Sequence, residues 1–285
     1  MVRGSGKGPL TLVLAGPSGH GKTENCTPFL RSQRSIHYDS DLGVRSLITG
    51  FRLEVEDRLI EHYTEGHEAL ASGPTRNGAE ILSLETTLTP GLPEKNAQRL
   101  IYLWPGITDQ AKSPRGDLVQ TTILGGASDA RTNCGAKPTQ WCMNPVTQHG
   151  LQATSRSKPW KPIDHDGQYK IVYNKTEAGV WTQATFDVKG GGKPFHALFA
   201  NGNGVFKDVQ FQTELWNSNP GTVSDHFYTS TRIVLSKADP GFGKTGRHFG
   251  KGRSSATPAE TADGGKTWTI AKVTNSKMRE GTLAA

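Results

Sequence analysis

The chain has 285 residues, a formal net charge of +7 and only 34% apolar residues, with 34 glycines and 16 prolines. That length holds one large domain or two smaller ones, and the loop-rich composition favours short strands and turns over a helical protein. No apolar run approaches the ~20 residues that cross a bilayer, which excludes a spanning helix, and the basic excess is spread without a basic run, so it reads as a solvated surface with no specific nucleic-acid partner.

In chain order, the first element is a short apolar strand, Leu10-Thr11-Leu12-Val13-Leu14-Ala15, which feeds into Gly16-Pro17-Ser18-Gly19-His20-Gly21-Lys22-Thr23. The octet fits the phosphate-loop pattern G-x-x-x-x-G-K-[ST]. Its glycines let the backbone curl so that N–H groups point at phosphate oxygens, Lys22 reaches the outer phosphates, and Thr23 offers its hydroxyl to Mg²⁺. Arg3 and Lys7 before the apolar run give a superficial likeness to a signal peptide, but the run is at the lower length limit and continues into the loop. A helix starting at Gly21-Lys22-Thr23-Glu24 meets Pro28 in its second turn, at a cost of about 3 kcal/mol. The clearest helix is Phe51–Tyr63, where Phe51, Val55, Leu59 and Tyr63 recur at spacing four.

Composition changes near residue 78. All six tryptophans follow it, and residues 1–78 carry nine Lys/Arg and nine Asp/Glu, so the basic excess belongs to the remainder. Gly73-Pro74-Thr75-Arg76-Asn77-Gly78 reads as a linker. The expected organisation is a truncated phosphate-loop segment at 1–72, a β-sandwich at 79–275 and a tail at 276–285. Within the sandwich the expected strands are Arg99–Trp104, Leu118–Leu124, Gln168–Tyr173, Val180–Val188, Val205–Leu215, Tyr228–Leu235 and Lys266–Val273, with a double turn signal at Asn201-Gly202-Asn203-Gly204. The fold class is therefore mainly β, two packed antiparallel sheets in a jelly-roll arrangement, preceded by a short, incomplete α/β phosphate-loop segment.

Several residues are candidates for chemistry. Sugar stacking needs exposed aromatics with polar neighbours, for which Trp104, Trp141, Trp181 and Trp216 are available, each also a natural core residue. Asp109, Asp117 and Glu214 could supply paired carboxylates for glycosidic chemistry, and His226 with Tyr228 a lyase base and acid. Asp164-His165-Asp166-Gly167 carries cation-type ligands but reads as a solvated turn. His67-Glu68 lacks the second histidine of a zinc helix, since position 71 is Ala71, and Gly241-Phe242-Gly243-Lys244-Thr245 lacks the first glycine of a phosphate loop, since position 238 is Ala238. Asn174-Lys175-Thr176 and Asn25-Cys26-Thr27 are N-glycosylation sequons, the second followed by Pro28. Three cysteines are too few for a disulfide framework; a Cys134–Cys142 bridge is compatible with chain geometry and would leave Cys26 unpaired.

Two resemblances meet at the composition break. Gly8 to Glu24, GPLTLVLAGPSGHGKTE, resembles the opening of Clp-type AAA+ ATPases, with Tyr38-Asp39-Ser40-Asp41-Leu42-Gly43 faintly similar to a later stretch. It implies that Gly16, Pro17, Ser18, Gly19, His20, Gly21, Lys22 and Thr23 bind ATP with Mg²⁺ at Thr23. No apolar run ending in Asp-Asp or Asp-Glu follows, and no sensor or arginine-finger segment can be placed, so binding without efficient hydrolysis is expected. From about Gly78 onwards the chain is similar to secreted fungal proteins with a concanavalin-A-like sandwich, through Tyr102-Leu103-Trp104-Pro105-Gly106-Ile107, Gly116–Thr121, Cys134…Trp141-Cys142 and Tyr228–Leu235. This resemblance implies a Cys134–Cys142 disulfide and an oxidising compartment, whereas the ATPase resemblance implies the cytosol. The function expected first is nucleotide binding through the phosphate loop; the alternative is a carbohydrate-directed sandwich, lectin-like or lyase- or hydrolase-like, with a vestigial loop.

Overall fold

Alternating burial defines the strands. The computed structural model describes residues 67–93, 100–109, 117–126, 134–149, 153–155, 159–191, 194–200, 204–215, 223–249 and 254–276, all within one unit, Asp57–Ala285. The phosphate-loop octet Gly16–Thr23, the Phe51–Tyr63 run, Cys26 and Trp216 lie outside the described residues.

Fifteen strands and one 3-10 turn make up the described secondary structure. They are β1 His67–Ser72, β2 Ile81–Thr89, β3 Leu100–Thr108, β4 Leu118–Gly126 and β5 Gln140–His149. Next come β6 Ala153–Ser155, β7 Lys161–Asp164, β8 Tyr169–Lys175, β9 Trp181–Asp187 and β10 Pro194–Ala200. The series ends with β11 Asp208–Leu215, β12 His226–Leu235, β13 Arg247–Phe249, β14 Ser254–Ala256 and β15 Thr267–Asn275. One sheet runs β13-β1-β11-β3-β4-β5-β6, with β7 also on β5; the other runs β10-β9-β8-β2-β12-β15-β14. Every pairing among them is antiparallel. The antiparallel sandwich expected from the sequence is the observed fold.

One face of each sheet closes the core. Leu84 and Leu88 of β2, Ile171 and Tyr173 of β8, and Tyr228 and Ile233 of β12 meet Ile101, Leu103 and Ile107 of β3, Val119 and Ile123 of β4, and Val209 and Phe211 of β11. Each such side chain contributes roughly 1.5–3 kcal/mol on leaving water. The indoles close the ends with their N–H groups capped: Trp141 donates to the Gly91 carbonyl at 2.8 Å, Trp181 to Gly204 at 2.8 Å and Trp268 to Gly265 at 3.0 Å.

All seven strands expected from the pattern are present; eight more, β1, β2, β5, β6, β7, β10, β13 and β14, lie outside that expectation, and two of the differences fall at prolines. β3 continues through Pro105 and Gly106, because its ladder to β4 skips from Leu103↔Ile123 to Gly106↔Gln120 and Pro105 owes no donor there. β5, absent from the sequence expectation, carries Pro145 where β7 pairing (Gln140–Met143) has ended and β6 pairing (Thr147–His149) has not begun.

The stretch 73–78 also reads differently in the structure. β1 lies upstream of it and pairs with β11 and β13, so 73–78 joins two strands of the sandwich. It is held rather than free: Gly73 N–H donates to Thr245 Oγ1 (2.8 Å), Arg76 N–H to Asp239 Oδ2 (2.7 Å) and Thr75 N–H to the Lys207 carbonyl (3.0 Å). The Phe242–Lys244 turn supplies that anchor, with Phe242 buried and Gly243 against Trp268. Gly241–Thr245 thus takes part in a structural clasp on this stretch.

Cys134 and Cys142 form a disulfide across a sequence separation of 8. It pins the 134–139 turn beside a satellite cluster of Leu100, Tyr102, Leu124, Ala136 and Trp160. Closing so short a loop restricts the unfolded chain, so Cys134→Ala lowers the unfolding free energy by about 2–3 kcal/mol. Urea unfolding with and without reductant checks this: wild type under reductant and the variant should coincide.

Candidate functional site

Strand alternation forces a polar face onto the larger sheet. With Val209 and Phe211 of β11 in the core, Asp208, Gln210, Gln212 and Glu214 point the other way. The same argument puts Tyr102, Trp104, Gly106 and Thr108 of β3 on that face, with Gln120 and Thr122 of β4 and Asn144 of β5. Register sets them side by side. Gln210 is opposite Gly106, Gln212 opposite Trp104, Glu214 opposite Tyr102, Gly106 opposite Gln120, and Thr122 opposite Asn144.

The centre of this face is an indole among amides. A Cβ on Gly106 would stand 2.9 Å from Trp104 Cζ3, so the six-membered ring of Trp104 lies over the bare glycine between Gln210 and Gln120. The Gln212 amide donates to Gln210 Oε1. Gln210 is 2% exposed and its Nε2 has no acceptor; Thr122, 5% exposed, has no partner for Oγ1. Buried donors of this kind are rare and call for an acceptor from water or a ligand. Gln120, Gln212, Glu214, Tyr102 and Trp160 are half-buried and form the accessible rim. At one end Asp208 pairs with Arg247 of β13 at 2.9 Å.

The residues singled out from the sequence scatter relative to this face. Trp141 and Trp181 are wholly buried core indoles and do not stack on sugar from solvent; Trp104 is 4% exposed but belongs to the polar face. Asp109 and Asp117 flank the same end of the β3–β4 pair, where Thr108 Oγ1 donates to the Asp117 carbonyl at 3.0 Å. Glu214 faces Tyr102 at the other end, seven residues from Asp109 along β3 and so about 23 Å away. A glycosidase pair needs carboxyl groups roughly 5–9.5 Å apart, so Glu214 pairs with neither aspartate.

His226 and Tyr228 are sealed inside the sandwich. His226 Nδ1 donates to the Ser224 carbonyl (3.2 Å), leaving Nε2 to accept from Thr213 Oγ1 (2.9 Å) and Asn275 Nδ2 (3.1 Å). Burial lowers its pKa to about 4, against smaller opposing contributions from the Ser224 hydrogen bond and Asp225. Burial raises the Tyr228 hydroxyl well above the usual phenol range, with Tyr173 adding to it. Both groups are fully buried and neutral, with no access for a substrate.

Asp164–Gly167 is a turn, closed by Gly167 N–H to the Asp164 carbonyl at 3.2 Å, and Asp164 Oδ1 accepts from Gln140 Nε2 at 2.8 Å. No group of three potential metal ligands occurs among the described residues. His67-Glu68 lies on strand β1 and not on a helix. Two open grooves of about 480 and 580 Å³, around His165 and Asp225 and over Arg232 and Glu260, gather no tryptophan, tyrosine or phenylalanine ring and include no residue of the amide face.

Gln120, Gln210, Gln212 and Trp160 were not singled out by the sequence. The signal was present in the alternation of Val209-Gln210-Phe211-Gln212, where an amide on every second position of a strand marks a face built for hydrogen bonding.

No protein-family model matches the chain, and no curated protein matches it. Among solved structures it is similar to scytalido-glutamic peptidase with a peptide-based transition-state analogue, at 7% identity and a TM-score of 0.46, over 73% of this chain and 98% of that one. It is also similar to a prokaryotic β-1,3-1,4-glucanase (lichenase) derived from a mouse hindgut metagenome, at 10% identity and a TM-score of 0.31, over 74% and 78% of the two chains. A Bacillus licheniformis β-glucanase gives 13% identity and a TM-score of 0.29, over 74% and 78%.

Proposed function

We propose that the amide face of the larger sheet binds a neutral polyhydroxylated ligand, an oligosaccharide lying along β11, β3 and β4. The observation that carries this is the Gln210 Nε2 donor, buried without an acceptor beside the Trp104 ring. Sugar hydroxyls accept from side-chain amides, and their C–H faces pack on indole and phenol rings. Tyr102 and Trp160 at the rim offer such rings, and Gln120 and Gln212 offer further amides. The reading is of a binding face: the separation of Glu214 from Asp109 gives these two no shared glycosidic centre.

Calorimetric titration with neutral β-glucan oligosaccharides tests it. Gln210→Met keeps the volume and removes the donor, and it weakens binding about tenfold; Gln120→Ala weakens it less. Binding that is absent across neutral oligosaccharides, or indifferent to both substitutions in folded protein, overturns the proposal. Nucleotide binding by Gly16–Thr23 is a separate proposal supported by the octet alone. Titration of Mg·ATP against wild type and Lys22→Ala tests it, and equal binding to both rejects it.

A further inference from the structure

We infer that Asn174 is an N-linked glycosylation site, and that the glycan stands on the outer face of the smaller sheet. The inference is independent of the oligosaccharide reading.

The geometry begins with alternation in β8. Tyr169, Ile171 and Tyr173 fill the core, so Lys170, Val172 and Asn174 face outward, and Asn174 is exposed. Its carbonyl accepts from Thr182 Oγ1 at 3.2 Å, while its side-chain amide makes no hydrogen bond. The flanking positions are small. Asn174 is opposite Ser83 of β2 on one side and Thr182 of β9 on the other. No bulky side chain therefore stands next to it across the sheet.

The rest of the sequon is compatible with a substituted Asn174. Lys175 turns away and pairs with Glu80 at 3.0 Å. Thr176 opens the β8–β9 hairpin, where its hydroxyl accepts from the Val180 N–H at 3.1 Å. A second, independent observation supports the compartment: the Cys134–Cys142 disulfide forms and persists where thiols are oxidised, and that is where N-glycosylation takes place. Among the described residues Asn174-Lys175-Thr176 is the only Asn-x-Ser/Thr sequon without proline at the middle position.

The covalent step requires a lipid-diphosphate-linked oligosaccharide and its transferase, acting on the extended nascent chain. Asn174 Nδ2 attacks the anomeric carbon; the N–C bond forms as the bond from that carbon to the diphosphate oxygen breaks. The lipid diphosphate leaves, and the Nδ2 proton passes to a base of the transferase. No oxidant or reductant is needed. The glycan then projects from the smaller sheet, while the amide face belongs to the larger one, so the two do not compete for space.

Translocation of the full chain, behind a cleavable leader, into endoplasmic-reticulum microsomes tests the site. The protease-protected chain should shift upward on a gel, and peptide-N-glycosidase should reverse the shift while converting Asn174 to aspartate in the released peptide. Asn174→Gln and Thr176→Ala should each abolish modification of that peptide completely, and Thr176→Ser should retain it. An unmodified Asn174 peptide from protected, disulfide-bonded chain overturns the inference, as does modification that survives Thr176→Ala. Peptide mapping separates this site from Asn25. Oligosaccharide binding by glycosylated and deglycosylated protein should be equal; a loss on glycosylation would refute the separation of the two faces and leave the site itself standing.

Discussion

Lowering the pH from 7 to 4 removes about 3 kcal/mol of folding stability through His226 alone. The folded-state pKa is depressed from 6.5 to about 4 because burial penalises the imidazolium. Between those values the unfolded chain binds a proton that the folded chain does not, so this contribution is complete above pH 6.5 and declines as the pH falls toward 4. The cause is visible in the contacts. Nδ1 is committed to the Ser224 carbonyl, and Nε2 faces the Thr213 hydroxyl and the Asn275 amide; the Asp225 carboxylate favours a positive charge there, but burial outweighs it. Urea unfolding followed at half-unit pH intervals reads the slope. In His226→Gln, which keeps an amide in the network and has no proton to gain, the slope over pH 4–6.5 should flatten by about one proton per molecule. An unchanged slope in a folded variant would locate the titration elsewhere.

The second large effect is steric. Gly125 of β4 faces the core, and a Cβ there would collide with Cε3 and Cζ3 of Trp141, whose ring is fully buried and tied to the Gly91 carbonyl. Gly125→Ala forces the indole or the strand to move and costs about 3 kcal/mol. Trp141→Ala empties the same space and costs about 3–5 kcal/mol. The two are not additive: with the ring gone, the added methyl has room, and Gly125→Ala in the Trp141→Ala background should cost less than ~1 kcal/mol. A double-mutant cycle by denaturant unfolding measures the coupling. Additive costs would mean that ring and glycine do not share that volume. For comparison, Gly179→Ala meets nothing within 4 Å, and its cost comes from the φ of +81° alone.

How much of this could be read from the residues depends on which physical signal each one gives. Strands with clean alternation, such as Tyr169–Lys175, announce themselves because period-two burial survives in the sequence; His226–Leu235 keeps that period only on either side of an irregularity at Ser230. β5 does not, because Pro145 argues against a strand until its partners are known, and only the register shows that the missing donor is never needed. Gly73–Gly78 reads as a linker because glycine, proline and asparagine mark a turn equally well in a flexible tether and in a clasp. What distinguishes them is Asp239 and Thr245, more than 160 residues away in sequence. The amide face is not legible in the sequence for a related reason. Gln210, Gln212 and Gln120 are ordinary surface residues one by one, and their meaning comes from a register that aligns them around Trp104. Glu214 and Asp109 show the converse, since the sequence offers two carboxylates and the strand length separates them.

The order of the strands has a consequence for how this protein behaves in a crowd of its own kind. An open sheet edge is a template on which another chain can extend the ladder, and long flat edges are where aggregation starts. Here β13, β6 and β14, at three of the four ends among the described residues, are three residues long. The fourth, β10, begins with Pro194 and pairs with β9 through two register shifts. Short or irregular edges offer an incoming strand few consecutive hydrogen bonds, so the long, regular strands of both sheets are kept in the interior, away from other molecules.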